Sequence, residues 1–139
     1  VIDSDVVLGL ARADSAPSVL GVDSMASMDG QLSDATRVFV NRRGFITGIG
    51  KQLQDWNAVD IGVFRFQSSV FDTFELLYRE YGSDLELTWV MRHILMQPSG
   101  VRTHDVKGLF WSDIDTEADY NNADELYEIA VKQPAQNNN

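Results

Sequence analysis

Cysteine is absent from this 139-residue chain, which excludes a disulfide framework and any thiolate-ligated metal centre. That absence fits a reducing compartment, and a cytoplasmic location is expected. Histidine is almost absent too: His93 and His104 have no metal-ligand spacing and read as ordinary helix and strand residues. No stretch approaches the roughly 20 apolar residues of a membrane span, and no signal peptide is visible. Basic residues are few, 11 Lys and Arg against 21 Asp and Glu, for a formal net charge of −10. Such a surface repels phosphate backbones and anionic bilayers, so neither nucleic acid nor a membrane is an expected partner. There is no internal repeat.

What is present suffices for a core. The chain is 44% hydrophobic, and its three Trp, four Tyr and seven Phe argue against wholesale disorder. Residues 1–132 fit one domain, followed by a polar tail at 133–139 that is expected to fray. The chain opens in a strand-like segment without an initiator Met, the expectation for processing, a partial record or a domain cut from a longer protein.

Val1 to Leu8 reads as a strand carrying Asp3 and Asp5, and 9–17 as a polar connection. Ser18 to Asp23 reads as a second strand and 24–35 as a loop. Two β-rich runs flank the turn Asn41-Arg42-Arg43-Gly44, predicting a hairpin. Val59 to Phe66 is the strongest strand signal. Val70, Phe71, Phe74, Leu77, Tyr78 and Tyr81 then form one helical stripe ending at Gly82, expected to pack into the core. Asp84 can cap a further helix that turns Val90, Met91, Ile94 and Leu95 inward. An irregular strand is expected within Val101 to Trp111. Thr116 with Asp119 resembles a capping box, opening a last helix with Tyr120, Ala123, Leu126, Tyr127 and Ala130 inward. Strands first, then helices returning to a strand, predict an α/β or α+β layered architecture.

Two acidic motifs stand out. Asp3 and Asp5 interrupt the apolar opening strand, and Asp113 and Asp115 close the run beginning at Trp111. Unpaired carboxylates cost several kcal/mol to bury, so two pairs beside apolar strands imply a compensating cation. Mg²⁺ fits, because it takes one or two carboxylates and leaves its other positions to water and phosphate. On a strand, Asp113 and Asp115 would share a face with Ile114 directed into the core. Both pairs have a plainer explanation as turn or helix caps.

Three segments carry a family resemblance, in order along the chain. Val1-Ile2-Asp3-Ser4-Asp5-Val6-Val7-Leu8 resembles the metal-binding strand of cytidylyltransferase-type nucleotidyltransferases of sugar and alcohol phosphates. Ile49-Gly50-Lys51 with Val59-Asp60-Ile61-Gly62-Val63-Phe64 is similar to their substrate-side segment. Trp111-Ser112-Asp113-Ile114-Asp115-Thr116-Glu117-Ala118-Asp119 looks like the acidic segment late in their catalytic domain. The branch handling phosphocholine, inositol phosphate and phosphonates is the most similar. The resemblance implies a GT-A-like, Rossmann-related α/β fold with a mixed sheet. It also implies Mg²⁺ held by Asp5 and Asp115, and an NTP, expected to be CTP, joined to a phosphorylated small-molecule acceptor with release of pyrophosphate. Lys51 would meet the acceptor phosphate, Asp60 and Gly62 would line its pocket, and Asp3 and Asp113 would contact substrate. Gly62 can equally serve only to accommodate a neighbouring backbone.

The family's Gly-rich nucleotide loop, with its Arg and Lys, has no counterpart here, and Gly48-Ile49-Gly50-Lys51 lacks phosphate-loop spacing. The expectation is therefore the C-terminal half of a catalytic domain, without its nucleotide-binding half and inactive by itself. Its completion would come from an N-terminal segment, and a homo-oligomer is the other expected association. A GT-A glycosyltransferase fragment and a non-catalytic binding domain are the rival readings.

Overall fold

The computed structural model describes residues 2–13, 18–26, 35–114 and 116–132, with part of the side chains in the last helix. Five strands form one mixed sheet: β1 (Val19–Asp23), β2 (Arg37–Val40), β3 (Ile46–Gly50), β4 (Ala58–Arg65) and β5 (Arg102–Asp105), in the order β3-β2-β4-β1-β5. Only β1 and β5 run parallel; the β1–β4, β2–β4 and β2–β3 pairs are antiparallel. The sheet curls until its two margins touch. Ile46 N–H donates to Val101 O at 3.0 Å and Thr103 N–H to Gly44 O at 3.0 Å, tying the hairpin tip to β5.

Helices cover both faces. On one side α2 (Ser69–Tyr81) and α3 (Leu87–Leu95) pack through Val70, Leu77, Val90, Met91 and Ile94 onto Leu20, Val22, Val38, Ile49 and Ala58. On the other, α1 (Ser4–Arg12) sets Val6 and Leu10 against Val19, Val59, Ile61, Val106 and Trp111. β1 serves both cores, because successive side chains leave a strand on opposite faces. The last helix, α4 (Glu117–Lys132), begins at the expected capping box. Asp119 N–H donates to Thr116 Oγ1 at 3.2 Å, and Thr116 N–H donates to Asp119 Oδ2 at 2.9 Å.

Several expectations are corrected. The Val1–Leu8 segment is not a strand: Ile2 makes one isolated antiparallel bridge to Trp111, and a helix starts at Ser4. Asp3 caps it, its Oδ1 accepting from Asp5 N–H at 2.9 Å. Val6 and Leu10, four apart, supply its buried stripe, whereas Val7 and Leu8 face water. At the other end of α1, the Arg65 guanidinium donates to the carbonyls of Leu10, Ala11 and Ala13, satisfying acceptors the helix leaves open.

Residues 112–114 form no strand either, so alternation does not order Asp113 against Asp115. The aromatic stripe of α2 is only partly core: Phe71, Tyr78 and Tyr81 are exposed, and Phe74 packs edge-on to Phe66. In α4, Ala123 is buried, while Tyr120 and Tyr127 are exposed. The residue flanking α3 is Glu86 rather than Asp84, which closes a 3-10 turn over Gly82–Asp84. The tail 133–139 and most of the 24–35 loop lie outside the described residues.

Candidate functional site

The two ends of the chain meet. The Ile2–Trp111 bridge and the hydrogen bond from Asp3 N–H to Phe110 O at 2.9 Å lay the first acidic motif beside the start of the second. Trp111 is buried among Val6 and Leu10 of α1, so the indole packs the junction from within. Asp60 belongs to the same neighbourhood, since its carboxyl feels the charge of Asp113. Asp3 and Asp5 thus lie beside the run leading to Asp113, and Asp113 is near enough to Asp60 to be felt electrostatically, although Val59 and Ile61, which flank Asp60 on β4, are the residues that face the α1 core. Asp115 lies outside the described residues.

Each acidic group has its own electrostatic setting. Asp5 sits in the first turn of α1 and is exposed, as is Asp113. Water solvates both, so burial does not demand a cation there. The positive end of the α1 dipole favours Asp3 and Asp5 at that terminus in any case. Asp60 differs. Burial raises its pKa to about 6, the Gly62 N–H donating to Oδ1 opposes that rise, and the Asp113 charge adds to it. The Asp60–Gly62 contact is 2.7 Å. Gly62 adopts φ +73°, and a Cβ built there meets nothing within 4 Å. Its role is to supply a left-handed backbone, not room for a neighbour, which corrects one of the two readings offered for it.

Lys51 follows Gly50 in the turn after β3 and is exposed. The register Gly50–Arg37–Val59 runs across three adjacent strands, so Lys51 lies two strands from Asp60.

Whether the cluster suits a metal can be judged from its donors. Among the described residues no three His, Asp or Glu side chains come close enough to cage an ion. Mg²⁺ needs less: one or two carboxylates suffice, the remaining positions going to water and phosphate. Asp5 offers a carboxylate with no hydrogen-bond partner among the described residues, so the donor chemistry fits.

A cavity of about 340 Å³ opens elsewhere, between the hairpin and the ends of β1 and β5, lined by Asn41, Arg42, Asn57, Thr103 and Asp105 among others. Structure already occupies most of its polar side chains. Asn57 pairs with both backbone groups of Val40, and Asn41 accepts from Arg43 and Phe45 N–H. Burial pushes the Asp105 carboxyl up, but hydrogen bonds from Ser24 and Lys107 outweigh it and hold the pKa below the usual carboxylate range.

Composition and spacing did not single out Asp23. This carboxylate, 4% exposed, accepts from Trp111 Nε1 at 2.9 Å, Met25 N–H at 2.8 Å and Gly108 N–H at 3.1 Å. The only sequence signal was an acid at the end of a wholly apolar strand.

Comparison with known proteins gives this geometry a context. No known family profile matches the chain. It is 34% identical over 85 residues to a bifunctional IPC transferase and DIPP synthase from Thermococcus kodakarensis, a match taking in 61% of this chain and 18% of that protein. The inositol-1-phosphate CTP transferase of T. maritima superposes with a TM-score of 0.72 at 25% identity, covering 95% of this chain and 51% of that one. A CMP:2-keto-3-deoxy-manno-octonic acid synthetase solved with CTP shares the fold at TM-score 0.59 and 15% identity, over 93% of this chain and 55% of its own. The chain is an α/β, mixed-sheet, partial nucleotidyltransferase fold related to inositol-1-phosphate CTP transferase, spanning about half the length of those solved chains.

Proposed function

We propose that this chain is part of a Mg²⁺-dependent nucleotidyltransferase that joins CTP to a phosphorylated small-molecule acceptor and releases pyrophosphate. One observation carries the reading: head and tail meet at the Ile2–Trp111 bridge, laying the first acidic motif beside the start of the second in a nucleotidyltransferase-type fold. The C-terminal portion of such a domain is the part that the order of the three motifs favours.

In this reading Asp5 and Asp115 hold Mg²⁺, which would offset charge on the nucleotide phosphates when bound. An oxygen of the acceptor phosphate attacks the α-phosphorus of the nucleotide. The bond to the β-phosphate breaks and pyrophosphate leaves. A phosphate nucleophile is already ionised and needs little base, so orientation and charge placement supply most of the rate. Lys51 takes the acceptor phosphate as a point charge. Asp60 and the Gly62 backbone shape the acceptor's site, and Asp113 orients substrate beside the metal ligands. Asp3 contacts substrate only with the oxygen its cap leaves unused.

Within a complete domain, Asp5→Ala or Asp115→Ala is expected to abolish Mg²⁺-dependent pyrophosphate release. Near-normal turnover in either variant removes the shared-ion proposal. Lys51→Ala should raise the acceptor KM more than the CTP KM, and equal effects on both would count against its role. A non-catalytic binding role is the second reading for the chain by itself.

A further inference from the structure

We infer that Asp23 is a positioning residue for the acidic site: it clamps the Trp111 indole, and through that ring it sets where both acidic motifs stand. The inference rests on the metal-site reading above and adds to it a residue with no motif.

Asp23 ends β1, where Asp23 pairs with Val59 of β4 and the neighbouring Val22 with Asp105 of β5. Its two oxygens divide their work. Oδ1 accepts from the backbone N–H groups of Met25 and Gly108, fixing the carboxylate against the turn after β5. Oδ2 accepts from Trp111 Nε1. A nearly buried charge is costly unless hydrogen-bonded, and here three N–H donors meet it. Burying an indole N–H needs only a neutral acceptor, so a carboxylate anchored at its other oxygen does more than satisfy the ring. It fixes the ring's direction.

That direction reaches the site by two short paths. Along the chain, Asp113 lies two residues beyond Trp111 and Asp115 four. Across the backbone, Trp111 bridges Ile2, and Phe110 O accepts from Asp3 N–H, the residue that caps α1 and sets the start of the turn carrying Asp5. A rotated indole would therefore shift the backbone leading to Asp113 and the cap that sets the turn carrying Asp5. Groups that orient metal ligands are worth roughly 10- to 100-fold in metal affinity.

The test measures Mn²⁺ affinity of the chain by calorimetric titration, alongside thermal unfolding. Trp111→Phe keeps an aromatic ring there but removes the N–H and part of the indole's volume; Asp23→Asn keeps the shape but removes the charge and one of the two acceptor oxygens. Each is expected to weaken Mn²⁺ binding about tenfold. The double variant Asp23→Asn/Trp111→Phe keeps an oxygen for the Met25 and Gly108 N–H groups and removes the charge that has lost its indole partner. It should recover melting temperature relative to Trp111→Phe while Mn²⁺ affinity stays weak. If affinity returns together with stability, Asp23 is structural only and the inference is overturned. Wild-type affinity in both single variants overturns it as well. Absence of any Mn²⁺ binding to the wild type that Asp5→Ala removes would overturn the metal-site reading itself, and this inference with it.

Discussion

Asp60 concentrates the electrostatics of the site in one carboxyl. Its pKa is raised to about 6 by burial and by Asp113, above its value of 3.8 in an exposed peptide. The folded chain therefore holds this proton more tightly than the unfolded chain does. The sign follows: Asp60 contributes no penalty below pH 3.8, and stability falls as pH rises from there through about 6. Asp60→Asn keeps an oxygen for the Gly62 N–H and removes the charge. It is expected to raise stability by on the order of 1–3 kcal/mol at pH 8 and to change little at pH 4, measured by urea unfolding. Equal effects at both pH values would show that Asp60 is not held protonated by the fold. Its acidity was invisible in the sequence, since the β4 backbone brings the Gly62 N–H to Oδ1 and only tertiary packing brings Asp113 near.

Elements differ in how openly they were written. The hairpin, β4, α2 and α3 were legible because turn residues and a consistent period of two or 3.6 agree there. The α4 start was legible as well, through Thr116 and Asp119. Thr116→Ala is expected to cost about 1 kcal/mol by losing that cap, read as a lower denaturation midpoint. The opening segment was not legible. Val6-Val7-Leu8 is a short apolar run whose period fits strand or helix equally, and Asp3 suits a strand-end ligand as well as a helix cap. Contact with the sheet decided between them, through Val6, Leu10 and a glycine. A Cβ on Gly9 would stand 2.1 Å from His104 Nε2, so α1 can lie against β5 only because that position is bare. Gly9→Ala is expected to destabilise by about 1–3 kcal/mol, with partial recovery in Gly9→Ala/His104→Ala. A neutral Gly9→Ala would mean that α1 sits farther from the sheet.

At the scale of the whole molecule, two cores share one sheet. Leu20 and Val22 face the α2–α3 core while Val19 faces the α1 core, so neither layer can be lost without exposing β1. Unfolding is expected to be a single transition. Leu77→Ala, on the buried side of α2, should cost about 2–5 kcal/mol and, in a Trp89→Phe background that leaves fluorescence to Trp56 and Trp111 of the opposite core, shift the fluorescence and circular-dichroism transitions together. A fluorescence transition that stays in place would show that the layers unfold separately.

The sequence by itself determined the layered α/β class, the main strands and helices, and a charge balance unsuited to nucleic acid. These depend on local period, turn chemistry and composition, which neighbouring residues carry among themselves. Only the tertiary structure decided that the opening segment is helical, that the chain's ends join at Ile2 and Trp111, and that Asp23 holds the indole between them. Those outcomes bring together residues about 90 to 110 positions apart, and no local signal encodes such a contact; it arises when two apolar faces and one buried carboxylate find their partners in the same packed core.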